Sequence, residues 1–183
     1  MNTCAEILPA SLELRPIDGL VARTNPLAFA MQPQAMTNWC WSAVATSIGL
    51  FYATGQWTQC SVVNTVLQKT TCCTTAGASE CNVPSYLELS LAVTKSFGSK
   101  VSGKPLLTAV SAEIDAGRPL GLRVGWSGGG GHFLAVYGYA SNTQMLNIAD
   151  SIYGSSVQAF ATFPSTYHGG GTWTHTYYTK PGS

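Results

Sequence analysis

Pro119 divides this chain by rhythm. Before it, apolar residues recur at the three- and four-residue spacing of helices. After it, short runs rich in Val, Tyr, Phe, Ile and Thr are cut by Gly, Ser and Asn clusters, as antiparallel strands are. Four helices are expected: one from Cys40 towards Gly55, a short one through Val62, Val63, Val66 and Leu67 capped by Ser61, one over 84–96, and one over 105–116. Pro84 and Pro105 suit first turns, Gly98 and Gly117 suit ends, and Leu106, Leu107, Val110 and Ile114 form a buried stripe. The run 70–82 reads as a loop. Strands are expected over 120–126, 132–140, 144–150, 156–163 and 174–180. Helices first and strands second specify an α+β domain, a helical half packed on an antiparallel sheet half, and the cleft between such halves is a natural place for a site.

With 183 residues the chain is sized for one domain with a full core. We expect residues 1–30, with Pro9, Pro16 and Pro26, to form an extended arm, and residues 31–183 to form the domain itself. Charged residues make up only 9% of the chain and the net charge is +1, which excludes nucleic acid and anionic membranes as partners on compositional grounds. The longest apolar run, around Cys40, is too short for a membrane span. Glu6, Glu13 and Asp18 interrupt the first thirty residues, which lack the basic and apolar regions of a signal peptide. The expectation is residence in the producer's cytoplasm, or export into a target cell by a specialised secretion system.

Four of the six cysteines crowd between 60 and 81. Their spacing is not that of a zinc knuckle or ribbon, and adjacent Cys72 and Cys73 would be awkward ligands for one tetrahedral ion, so no metal is expected. Excluding the vicinal pair, an oxidising compartment allows Cys60–Cys72 with Cys73–Cys81, or Cys60–Cys73 with Cys72–Cys81.

Cys40 opens the first helix, where unpaired N–H groups and the helix dipole favour a thiolate, the nucleophilic form of cysteine. Far along the chain, His132 follows four glycines, 128–131, and begins the strand His-Phe-Leu-Ala-Val-Tyr. A three-residue loop centred on Ser141 would set Asp150 directly opposite His132, Ile148 opposite Leu134 and Leu146 opposite Val136, on one apolar face. A carboxylate beside an imidazole is how a general base is held in one tautomer. His168 and His175 have no acidic residue nearby in sequence and are read as structural.

Gln34, five intervening residues and Cys40-Trp41, then Gly131-His132, then an acid at the end of the next strand, resemble the papain-like cysteine peptidases. The Gln-x5-Cys-Trp-Ser-Ala form, the Cys72-Cys73 and Cys81-Asn-Val-Pro84 segments, and Asp rather than Asn as third member are similar to the bacterial effector-type branch and its bacteriocin-leader-processing relatives. The resemblance implies a nucleophile at Cys40, a general base and acid at His132, an orienter at Asp150, and an oxyanion donor at Gln34 together with the Cys40 backbone N–H. Gln32 competes with Gln34 for the last role. No cofactor is implied. The chain departs from papain in its acid and in the placing of its cysteines.

The function expected is hydrolysis of a protein or peptide substrate through an acyl-enzyme, by a secreted effector or antibacterial toxin kept in check by a cognate inhibitor or immunity protein. The leader-processing relatives point to small residues, such as Gly-Gly, before the scissile bond. The alternatives are an acyl transferase, ligase or transglutaminase with the same residues, and a binding domain that has lost activity.

Overall fold

In the computed structural model, which describes residues 26–182, the chain runs α1 (Cys40–Phe51), α2 (Gln59–Leu67), α3 (Thr75–Glu80), α4 (Leu87–Val93), β1 (Phe97–Ser102), α5 (Leu107–Asp115), β2 (Leu120–Trp126), β3 (Gly131–Ala140), β4 (Met145–Asp150), β5 (Gly154–Ala159) and β6 (Gly171–Thr179). The strands form one antiparallel sheet in the order β1-β6-β2-β3-β4-β5. This is the α+β arrangement the sequence specifies. Residues 1–25, most of the expected arm, lie outside the described residues. At its end, the Leu27 N–H donates to Tyr137 O at 2.7 Å.

Two cores lie on the two faces of the sheet. Buried Trp39, Trp41, Val44 and Ile48 of the α1 region pack with Val62, Val63, Leu87 and Leu91, and Phe133 and Tyr177 enter this core from the sheet. Val110 and Ile114 of α5 pack with Leu120, Leu122, Leu134, Val136 and Ile148 on the other face. Strand β3 therefore feeds both, alternate residues going to opposite sides.

Several boundaries depart from sequence expectation, each for a local reason. Thr58, not Ser61, caps α2: Thr58 Oγ1 accepts from the Ser61 N–H at 3.2 Å, and Ser61 Oγ accepts from the Thr58 N–H at 3.1 Å, a reciprocal box that places Ser61 at the third helical position. Helix α4 begins at Leu87, three residues after Pro84, because the carbonyls of Asn82 and Val83 accept side-chain bonds from Asn38 and Trp41 and hold the chain extended. Leu106, expected buried, is 77% exposed and lies just before α5. The supposed loop 70–82 contains α3, capped by Thr74 Oγ1, which accepts from the Gly77 N–H at 3.0 Å. Strand β1 was hidden because it is an exposed edge strand whose sequence, Phe-Gly-Ser-Lys-Val-Ser, shows little apolar alternation.

The hairpin register also differs. Asp150 pairs with Leu134 and Ile148 with Val136, two residues from the expected alignment, and a bulge falls between Val136 and Gly138. The connection is a four-residue turn, Ser141–Gln144, with Gln144 in the left-handed region at φ 51°. Up to the bulge the slip of two preserves facing, so Asp150 remains on the His132 side as a diagonal neighbour, whereas beyond it Leu146 pairs with Tyr139 and not with Val136.

The disulfides are Cys60–Cys73 and Cys72–Cys81, closing sequence separations of 13 and 9. Of the two pairings open from sequence, this is the second. They tie α2, α3 and the strand-like segment leading to α4 into one unit. Removing the buried Cys72–Cys81 bond in a Cys72→Ser, Cys81→Ser double variant should cost about 2–3 kcal/mol of stability. Denaturant titration under non-reducing conditions checks this; an unchanged midpoint would show that the bond constrains nothing.

Candidate active site

Cys40 is the first residue of α1 and 9% exposed; the helix has no side-chain cap at its N-terminus. No capping oxygen competes for the N–H groups there. The chain entering this helix is stitched to residues 81–83: Trp39 Nε1 donates to Cys81 O at 2.9 Å, Trp41 Nε1 to Val83 O at 3.2 Å, and the Asn38 N–H to Asn82 Oδ1 at 2.8 Å. Asn38 Nδ2 donates to Asn82 O at 2.9 Å, and Asn82 Nδ2 to Thr37 Oγ1 at 2.7 Å. The Cys72–Cys81 disulfide thus braces the segment that sets the position of the Cys40 helix.

His132 is the second residue of β3 and buried. Its Nε2 lies 2.8 Å from Asp150 Oδ1, which leaves Nδ1 as the nitrogen open to Cys40, on the same cleft. Trp126 stacks on the imidazole with ring centroids 6.1 Å apart and planes at 18°. Buried Asp150 is ringed by donors. Its Oδ1 also accepts from the Ile152 N–H at 2.7 Å and the Tyr153 N–H at 3.2 Å, and its Oδ2 accepts from the Tyr167 O–H at 2.9 Å.

The electrostatics follow from these contacts. Burial by itself pushes the His132 pKa down, but the hydrogen bonds and negative charges of Asp150 and Cys40 outweigh it and raise the value to about 9. Burial likewise pushes Asp150 up, yet the His132 hydrogen bond and charge, the Ile152 N–H and the Tyr167 hydroxyl hold its carboxyl below the usual carboxylate range. Tyr167 is driven in the opposite direction, upward, by burial and by the carboxylate it serves. At neutral pH this is an imidazolium beside a carboxylate.

Gln34 is placed differently from the other three. Its Nε2 donates to Met36 O at 3.0 Å and Thr37 O at 2.8 Å, its Oε1 accepts from Ser151 Oγ at 2.9 Å, and its N–H donates to Ser151 O at 3.0 Å. Both amide protons therefore rest on backbone carbonyls of the turn before Cys40. Gln32 is held among structural groups, its N–H on Ser47 Oγ and its Oε1 on Gln59 Nε2. Buried Gln59, which sequence reading passed over, also donates to Pro33 O and accepts from the Ala35 N–H, bracing the Gln34 segment from behind.

Cys40 and His132 open on a cleft of about 650 Å³. One wall is Thr37, Asn38 and Pro84–Tyr86, the other Arg123, Trp126, Ile152 and Tyr153. His168, read as structural, lines this cleft, stacked on Tyr153 at 3.6 Å. His175 sits against Thr174 Oγ1 at 3.1 Å, outside the lining residues. Sequence reasoning missed Trp126, Tyr167 and Arg123; a hairpin drawn through 127–130 would have placed Trp126 near His132, but nothing local marks Tyr167. Among the described residues no group of three or more His, Cys, Asp or Glu could hold a metal ion, and no helix is long and apolar enough to cross a membrane.

The family model described as papain-like cysteine protease AvrRpt2 matches residues 21–168. The chain belongs to that family. No curated protein matches it. The matched span contains Gln34, Cys40, His132 and Asp150, and the helical layer followed by an antiparallel sheet is consistent with a papain-like fold. This cysteine protease is thus a hydrolase of the bacterial effector branch that the sequence motifs resemble, and a protein substrate follows from that class.

Proposed function

We propose that this protease cleaves its protein substrate through a Cys40–His132–Asp150 triad and an acyl-enzyme. The single observation that carries the reading is the imidazole of His132, bonded through Nε2 to Asp150 Oδ1 at 2.8 Å and lining one cleft with Cys40. With the thiol proton already resting on His132 as an ion pair, the Cys40 sulfur attacks the scissile carbonyl, and the imidazolium gives that proton to the leaving amine as the C–N bond breaks. Water, deprotonated by the now neutral ring, then hydrolyses the thioester. The oxyanion is received by the Cys40 backbone N–H at the uncapped helix start. Gln34 joins it as the second donor by exchanging the Thr37 carbonyl for the oxyanion. Asp150 keeps the ring oriented and its positive charge supported.

Delivery into a target cell as an effector or toxin, and a cognate inhibitor in the producer, belong to the same proposal, supported by the effector family alone. Mass spectrometry of a target-cell lysate treated with the wild type or with Cys40→Ala tests the peptidase: new protein termini should appear with the wild type only. Products joined to an added amine, in place of hydrolysed ends, would favour acyl transfer.

The imidazolium is the acid that releases the amine, so kcat/KM should fall as pH rises through about 9, the raised value of His132. Asp150→Asn removes the carboxylate charge that helps to raise it and should move that limb to lower pH. A limb that stays in place in Asp150→Asn would disconnect the profile from this pair.

A further inference from the structure

Arg123 projects from β2 beside the catalytic strand, opposite Phe133, and its side chain lines the same cleft as Cys40 and His132. Of the residues lining that cleft, it alone carries a permanent charge. The side chain lies flat on the backbone just before His132. A Cβ added to Gly131 would stand 2.4 Å from its Nη2 and 2.6 Å from its Cζ, and one added to Gly125 would stand 3.3 Å from Nη1. Glycine at these positions makes the seat, and only a shift of the guanidinium would admit a larger residue there.

What the guanidinium does with its donors is informative. Nη1 donates to Thr174 Oγ1 at 3.1 Å, and Nη2 makes a long contact to Gly130 O at 3.5 Å. A guanidinium has five N–H groups, so the rest have no acceptor among the described residues. No carboxylate among those residues lies within ion-pair distance of it, whereas Arg118 and Lys100 are each paired with a glutamate. In a chain with so few charges, a partly buried cation is held with no counter-ion among the described residues, at the rim of the reaction centre. Its planar fork fits a carboxylate with two parallel hydrogen bonds.

We propose that Arg123 is a specificity residue that receives a substrate carboxylate within a few residues of the scissile bond. The carboxylate is an Asp or Glu side chain or a free C-terminus. The proposal rests on the peptidase reading above for the word substrate, but the anion site itself does not.

The test incubates wild type, Arg123→Gln and Arg123→Glu, each checked for unchanged thermal unfolding, with a proteome-derived peptide library, half of it amidated at its C-termini. Enrichment of Asp or Glu around the cut sites in both halves, lost in Arg123→Gln and replaced by Lys or Arg in Arg123→Glu, supports the side-chain source. Cuts confined to positions near unblocked C-termini support the terminal source. For acidic peptides, Arg123→Gln should lower kcat/KM by about tenfold to a hundredfold, as loss of a charged hydrogen bond does. An unbiased set of cut sites, or an acidic bias that survives in Arg123→Gln, overturns the proposal. If the wild type cuts no peptide, the peptidase reading fails, and the rate of Cys40 alkylation by iodoacetate relative to iodoacetamide decides the anion site. That ratio should fall severalfold in Arg123→Gln, and an equal ratio overturns the site.

Discussion

His132→Ala should lower kcat/KM by about three orders of magnitude or more, the largest effect of any single substitution beside Cys40 itself. In the proposed mechanism the ring serves two steps, holding the proton that leaves sulfur and giving it to the leaving amine, and His168, the other histidine on the cleft, is stacked on Tyr153. The same variant should alkylate more slowly with iodoacetamide at near-neutral pH, since the imidazolium supports the thiolate. Alkylation at the wild-type rate would show that the two side chains do not share a proton. Loss of activity here should come with modest loss of stability, because Trp126 and Phe133 still fill the space around the missing ring.

Asp150→Ala should behave in the opposite proportion, with a large loss of stability and of activity together. Four donors converge on this buried carboxylate: the His132 ring, the N–H groups of Ile152 and Tyr153, and the Tyr167 hydroxyl. Removing it leaves the hydroxyl, the two N–H groups and a cationic ring without acceptors at a buried position, at a cost of about 3–5 kcal/mol by analogy with broken buried ion pairs. Asp150→Asn keeps one acceptor oxygen and should recover much of the stability while remaining slow. The sign of the pH dependence separates the pair's two members. Folding raises the His132 pKa to about 9, so its share of stability is complete below the unfolded value near 6.5 and is lost as pH climbs through 9. The carboxyl of Asp150 is held low by folding, so its share is present above about 4 and is lost on acidification. Chemical denaturation of wild type and Asp150→Ala from pH 5 to 10 should show the curves converge at high pH. Parallel curves would argue against coupling.

The parts of this arrangement that could be read from sequence are those governed by short-range rules. Cys40 at a helix start, two cores' worth of apolar stripe and the His132–Asp150 hairpin all follow from spacing. The hairpin was legible even though its loop was misjudged, because a two-residue error leaves parity intact. Thr58 was overlooked in favour of Ser61 because both residues take part in one box and only the geometry tells which is outermost. Strand β1 shows no pattern because it borrows its order from β6. Tyr167 reaches Asp150 from a turn and Arg123 reaches the cleft by lying across Gly131. Such placements are decided by tertiary contact, which no window along the chain contains. The free amide expected of Gln34 was a matter of the same kind: sequence placed the residue in the right segment, but not its hydrogen bonds to Met36 and Thr37.

Strand β3 gives Phe133 to the core that holds Cys40 and Leu134 to the core on the far side. The imidazole beside them is thus mounted on a beam clamped from above and below, while the sulfur is mounted on only one of the two clamps. Any loosening that lets the layers slide will misalign the reacting pair long before either layer melts. Turnover should therefore fade at a lower temperature than the loss of helical signal, which makes catalysis the most sensitive gauge of how well this molecule is put together.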